Sequence, residues 1–308
     1  MPNVCKAGFV EELARRFGEL RKMDGSGSLF VIGDEAARVY IRYSKVHPGG
    51  RTFFGLREVD LRQLEGHNSF LCFLLNDDSA PLIIPFCDFE EVFRAAETAK
   101  DGQYKVQLTQ RGSLELYVAR QGRFNVEGYV GFDVIDRSLK AANELRPPLD
   151  LSHSQIQTML ACVGKLKGYD VFVPASDVGR LDWTLARRFQ MLEDIPSGFQ
   201  QIRSVLSEID VTWVEGGRNT IAALFEVEHS TTVYSGLLRF NDVLLTNPSV
   251  SRFTIVSSDA RRGLFARQLF RPTFRKSGLS ELCSFLEYRN VFDWHTRLAR
   301  GARDGPMG

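Results

Sequence analysis

The run "SEIDVTWVEGGRNTIAALFEVEH", residues 207–229, leaves this chain few ways to fold. Two stretches rich in β-branched and aromatic residues flank "EGGRN", whose glycines supply the positive φ that a tight connection needs, so the run predicts a β-hairpin. Side chains alternate along a strand. Phe225 and Val227 therefore take one face and Glu226 and Glu228 the other, with the two acids roughly 7 Å apart. Like charges held that close beside a core require a cation, an Arg or Lys, or a proton between them. With 216–219 as the loop, Glu215 opposes Thr220 and Asp210 falls opposite Phe225. One residue of slip, or a bulge, brings Asp210 beside Glu226 on a common face, and Glu208, two residues earlier, makes a fourth acid there.

The surrounding chain, 308 residues with 44% hydrophobic and 25% charged, has the balance of a soluble globular protein with room for two domains. Its first part reads as short strands, "SLFVI", "RVYIRY", "SFLCFLL", "PLIIPF", "YKVQLT" and "LELYVAR", separated by turns such as "NDDSA" and by two helical intervals, "VDLRQLEG" and "DFEEVFRAAETAK", the second with Asp88 as N-cap. "ELRPPLDLSHSQ" marks a boundary, since its prolines disfavour helix before them and Ser152 with Gln155, or Ser154 with Gln157, has the form of a capping box. Beyond it the order is helix to Gly168, strand "YDVFVP", a long helical or irregular segment 175–207, the hairpin, a helix from Ser230 to about Leu245, strand "RFTIVSS", and helix "ARRGLFARQLF" capped by Asp259. The expected architecture is a β-rich α+β domain over 1–145 and an α/β domain over 150–308 whose mixed central sheet is flanked by helices.

The acids and their order resemble the PD-(D/E)XK, or restriction-endonuclease-like, nuclease superfamily across roughly residues 152–275. In that resemblance Asp210 stands for the family's Asp, Glu226 for its Asp/Glu, and Glu228 replaces the usual Lys. It implies a restriction-endonuclease-like fold and hydrolysis of phosphodiester bonds with Mg²⁺, or Mn²⁺ as a substitute. Asp210 and Glu226 would ligate the metal, Glu208 would be an alternate ligand, and Glu228 would assist the attacking water. Gln157, on the opening helix, matches a place where relatives put a Glu or Gln near the metal. Lys165 and Arg239 are candidates to restore the missing positive charge. His229 points away from Glu228 and reads as packing or hydrogen-bonded.

Charge is unevenly spread: from residue 251 onward eleven Lys or Arg stand against five acids, a local +6 in a chain of net +1. Such a basic third suits a polyanion. Arg261, Arg262, Arg267, Arg271 and Arg275 could follow a DNA backbone, and in the first domain Arg38, Arg42, Lys45, Arg51 and Arg57 accompany His47, Phe53 and Phe54 in a basic and aromatic stretch. Five scattered cysteines without CxxC spacing read as reduced thiols, the N-terminal "FVEELARRFGELRKM" as an amphipathic helix without a signal sequence, and no run approaches a membrane span, which makes the cytoplasm the expected compartment. No P-loop, Rossmann fingerprint, nucleophile elbow or zinc-protease motif is present. The expected function is a DNA endonuclease of restriction or other anti-phage defence, acting as a homodimer. The alternatives are a non-catalytic nucleic-acid-binding module of the same fold and an effector nuclease awakened by a small ligand.

Overall fold

The computed structural model describes residues 4–23, 25–75, 80–144, 150–195, 197–217, 220–229 and 232–304, the side chains of 111 and 301–304 excepted. The chain divides into two compact units, Met1–Arg146 and Pro147–Gly308.

In the first unit, α1 (Val4–Phe17) leads to β1 (Leu20–Lys22), β2 (Leu29–Ile32), β3 (Ala37–Ser44), β4 (Phe54–Arg57), α2 (Glu58–Arg62), β5 (Ser69–Leu75), β6 (Leu82–Pro85), α3 (Phe86–Ala95), β7 (Gln103–Arg111), β8 (Ser113–Val118), β9 (Gly122–Asn125) and α4 (Asp133–Glu144). One sheet has the order β1-β2-β3-β5-β6 and a second the order β4-β7-β8-β9. Tyr40, Leu71 and Phe73 of the first meet Leu56, Val106 and Leu116 of the second in one core, while Val39, Ile41 and Cys72 on the opposite face bury Phe9 and Leu13 of α1. This corrects the reading of β3. The face that carries Arg38, Tyr40, Arg42 and Ser44 is turned toward the second sheet, and Arg38 is buried there, its guanidinium on Glu35 at 3.0 Å and on the Gln63 carbonyl at 2.5 Å. The expected N-cap Asp88 lies inside the first turn of α3, which starts directly after Pro85. The turn at "NDDSA" falls largely outside the described residues, as do the prolines of the interdomain boundary.

The second unit contains α5 (His153–Leu166), β10 (Asp170–Phe172), α6 (Ala175–Val178), α7 (Arg203–Leu206), β11 (Val211–Glu215), β12 (Thr220–Val227), α8 (Val233–Thr246), β13 (Phe253–Ser257), α9 (Arg262–Leu269), α10 (Pro272–Ser277), α11 (Leu279–Leu282), β14 (Cys283–Glu287) and α12 (Tyr288–Asp304). The five strands form one mixed sheet in the order β10-β11-β12-β13-β14, antiparallel from β10 to β12 and parallel from β12 to β14. The period of two in β12 decides its packing. Phe225 and Val227 join Trp213 against Ile156, Leu160 and Val163 of α5 and Trp294 of α12, whereas Leu224 faces Leu237 and Phe240 of α8. Ser152 closes the expected capping box with Gln155, which satisfies donors at the start of α5.

Two boundaries differ from expectation. Ser230 and Thr231, expected to open α8, lie outside the described residues, and the helix begins at Val233. Asp259 does not cap α9: it sits in a 3₁₀ turn, Asp259–Arg261, where its carboxylate accepts from Arg262 Nε at 3.0 Å. The segment 175–207, expected to be helical or irregular, holds short helical turns among its described residues. The sheet also gains β14, and the unit gains α12, neither of which the sequence announced, because Glu287 passes into Tyr288 from strand to helix with no Gly or Pro to mark the change.

Candidate functional site

The hairpin register was set by a bulge. Glu215 opposes Thr220 as the loop length requires, but the register shifts between Trp213 and Val214, so Val211 faces Phe225. That single extra residue carries the chain position before Val211 to the level of Glu226. Asp210 precedes the strand itself, and its Oδ2 accepts from the Val227 backbone N–H at 2.6 Å. Its Oδ1 lies 3.4 Å from His153 Nε2, and its carbonyl accepts from Gln157 Nε2 at 2.9 Å. Gln157 also reaches Asp177 Oδ2, at 3.3 Å. His153 and Gln157 are four residues apart and so share one face of α5.

Glu226 and Glu228 are 1% and 2% exposed on the α8 side of the sheet. Helix α8 comes close because residue 236 is glycine: a Cβ there would stand 2.8 Å from Glu228 Oε1 and 3.3 Å from Glu226 Cβ. One turn on, Arg239 grips Glu226 with both prongs, Nε to Oε1 at 2.6 Å and Nη2 to Oε2 at 2.9 Å. Its Nη1 is 3.9 Å from Glu208, whose side chain is 69% exposed. Glu208 lies in the turn before the strand, so the strand-face argument that placed it with Asp210 does not hold.

The electrostatics follow from this crowding. Burial pushes the Glu226 carboxyl up to about 8 against the pull of Arg239, and the charges of Asp210 and Glu228 push the same way. Arg239 is held more firmly protonated by Glu226, and Glu228 and Asp210 add to that effect. His153 is raised by its contact with Asp210, and by the fields of Asp177 and Glu226, despite its burial. Among the described residues, no three His, Cys, Asp or Glu side chains are grouped closely enough to hold a metal ion. Asp210, Glu226 and Glu228 nonetheless lie at one end of the sheet, with the Arg239 guanidinium on Glu226 as the neutralising charge. Carboxylate oxygens are the donors that Mg²⁺ prefers, so the donor set suits a hard cation, which would have to draw Glu226 from Arg239.

Arg239 and Gln157 are candidates from the sequence, whereas His153 and Asp177 join them only in the structure. The i, i+4 relation of His153 to Gln157 was a usable signal. Asp177 carried none, because the four residues of α6 are too few to show a periodicity. Lys165, the other candidate cation, is directed to Asp170, 3.9 Å away. His229 stacks on Tyr288.

Several arginines expected on DNA are engaged in the structure. Arg261 donates to the His229 carbonyl at 2.9 Å and to that of Glu228 at 3.5 Å, a carbonyl also held by Ser257 Oγ at 2.6 Å and Tyr288 Oη at 3.1 Å, so these groups fix the strand end that carries Glu228. Arg262 pairs with Asp259 and Glu287. Arg271 lies over the Tyr234 ring, while Arg267 and Arg275 are exposed on α9 and α10. In the first unit Arg42 lies over the Tyr40 ring, Arg57 pairs with Asp60, and Lys45 and Arg51 are exposed beside the His47–Phe53 ring pair.

A mixed sheet between helices, with acids at the end of its central strands, is an arrangement consistent with a restriction-endonuclease-like domain. The profile of the C-terminal domain of the type II restriction enzyme NmeDI matches residues 136–300, and the chain belongs to that family. The type II restriction enzyme NmeDI of Neisseria meningitidis serogroup C is 30% identical over 132 residues, covering 40% of this chain and 37% of the relative. The chain therefore spans little more than a third of that curated relative. No solved structure matches.

Proposed function

We propose that the protein is a restriction-type endonuclease that hydrolyses phosphodiester bonds of DNA with Mg²⁺, with the PD-(D/E)XK pattern read as Asp210, Glu226 and Glu228. The observation that carries this reading is the burial of Glu226 and Glu228 beside Asp210 at one sheet end, an arrangement too costly to serve packing alone. Asp210 and Glu226 would hold the metal, with Glu208 as an alternate ligand from the exposed side. When bound, the ion supplies charge neutralisation at the phosphate and lowers the pKa of a water. His153 and Gln157 hold Asp210 from α5. Glu228 accepts a hydrogen bond from the attacking water and orients it. Arg239, beside Glu226, would place its guanidinium where charge develops on the phosphate oxygens. Arg267, Arg271 and Arg275 of this unit, with Lys45 and Arg51 of the other, supply backbone contacts, and cutting both strands calls for a homodimer.

The test is incubation of supercoiled plasmid with Mg²⁺ or Mn²⁺. Wild type should nick or linearise it, and Asp210→Asn and Glu226→Gln should each lose at least about 100-fold in rate. Cleavage that survives both substitutions would sink the site. A second reading, a DNA-binding module of the same family without catalysis, is favoured by the two-pronged Arg239 grip on Glu226, which satisfies that acid with no metal. Plasmid binding without cleavage under either metal would decide for it.

A further inference from the structure

Away from the acids, the second unit contains a cavity of about 430 Å³ between the last turns of α5, the irregular segment 184–189 and α12. Its size is within the range of pockets that enclose small organic molecules. The lining is divided by chemistry. Leu166, Leu185, Phe189 and Ala299 offer apolar wall, and Lys165, Arg187 and Arg188 add three cations to the lining.

His295 of α12 supplies the observation that points to a ligand. It lines the cavity, it is only 8% exposed, and among the described residues its ring makes no hydrogen bond or ion pair. Its ring nitrogens are not sealed from solvent, so they remain open to a molecule that enters the cavity. His153 and His229, by contrast, have Asp210 and Tyr288. Burial lowers the His295 pKa, so the ring is neutral and offers one donor and one acceptor. Arg187 and Arg188 likewise have no carboxylate partner among the described residues, and both are exposed. Only Lys165 has an acid nearby, Asp170, at the loose distance of 3.9 Å.

We propose that this cavity binds a nucleoside monophosphate or a molecule of the same chemistry, its phosphate held by Arg187, Arg188 and Lys165, its base against Phe189 with a polar edge on His295. Guanidinium groups suit a phosphate because they match its oxygens with paired donors, and an aromatic wall suits a planar base. A free mononucleotide and a terminal nucleotide of a DNA strand would present the same groups. The site is independent of the acids on β12, so its fate does not depend on whether the chain cuts DNA.

The experiment is titration of the full chain with AMP, CMP, adenosine, inorganic phosphate and a 5′-phosphorylated oligonucleotide, followed by calorimetry and thermal melting. A saturable response to AMP or CMP is expected, weakened about 10-fold or more by Arg187→Ala with Arg188→Ala, surface changes that leave the core intact. His295→Leu should weaken AMP and leave any response to inorganic phosphate unchanged. If the oligonucleotide binds through the same arginines more tightly than AMP, the source is a strand end. No saturable response to any nucleotide would overturn the proposal. So would a response equal for AMP and inorganic phosphate, or one indifferent to loss of both arginines.

Discussion

Arg239 is the residue on which the acid cluster turns. Its guanidinium is the direct partner of a carboxylate that is almost wholly buried, and removing one member of a buried pair leaves the other charged and unsatisfied. Arg239→Gln should therefore cost about 3–5 kcal/mol in denaturant unfolding without metal. If the acids accept a divalent ion, Mg²⁺ should restore part of that loss and should stabilise the variant more than wild type. An unchanged unfolding midpoint would show that Glu226 has another means of neutralisation. Gly236 makes a second residue-level case. A methyl at this position meets the Glu228 carboxylate and stands 3.1 Å from Ile255 Cδ1, so Gly236→Ala should force α8 outward. The expected cost is about 1–3 kcal/mol, measured by thermal unfolding, with a parallel fall in plasmid cleavage.

Helix α5 and the hairpin are the elements that place the site, and they are joined through Trp213. The indole donates to the Leu160 carbonyl at 3.1 Å, and Gly164 lets it lie against the helix, where a Cβ would be 2.6 Å from its Cδ1. Both Gly164 and the Ser152 cap thus set how His153 and Gln157 meet Asp210. Ser152→Ala should destabilise by about 0.5–2 kcal/mol, a loss read from chemical denaturation, because the first N–H groups of the helix lose their acceptor. The capping box, the hairpin and the alternation of β12 could all be read along the chain, since each is a local pattern. The bulge that aligns Asp210 with Glu226 could be allowed for but not located, because Ala222 and Ala223 look alike to any local rule. Helix α12 gave no start signal, and Glu208 was assigned to a strand that begins only at Val211.

Across the whole molecule, charge and burial have consequences in solution. If Arg267, Arg271 and Arg275 contact phosphates, each change to Ala should lower the slope of log affinity against log salt by about 0.9, and a flat response would exclude that surface. His295 titrates against the fold. Because burial lowers its pKa, the unfolded chain takes up the proton first, so stability falls as pH drops below the ordinary value of 6.5. His295→Gln should flatten that decline in melting temperature between about pH 7 and 5. Alternation of apolar and acidic residues in a single segment was enough to establish the hairpin, the two faces of β12 and the need for a neutralising charge. Which charge does so, and that α5 contributes His153 while the short helix α6 contributes Asp177, depended on helices more than ten residues away along the chain. Local patterns record what a residue needs from its surroundings, whereas the partner that meets the need is chosen by packing, which brings together side chains that no spacing rule connects.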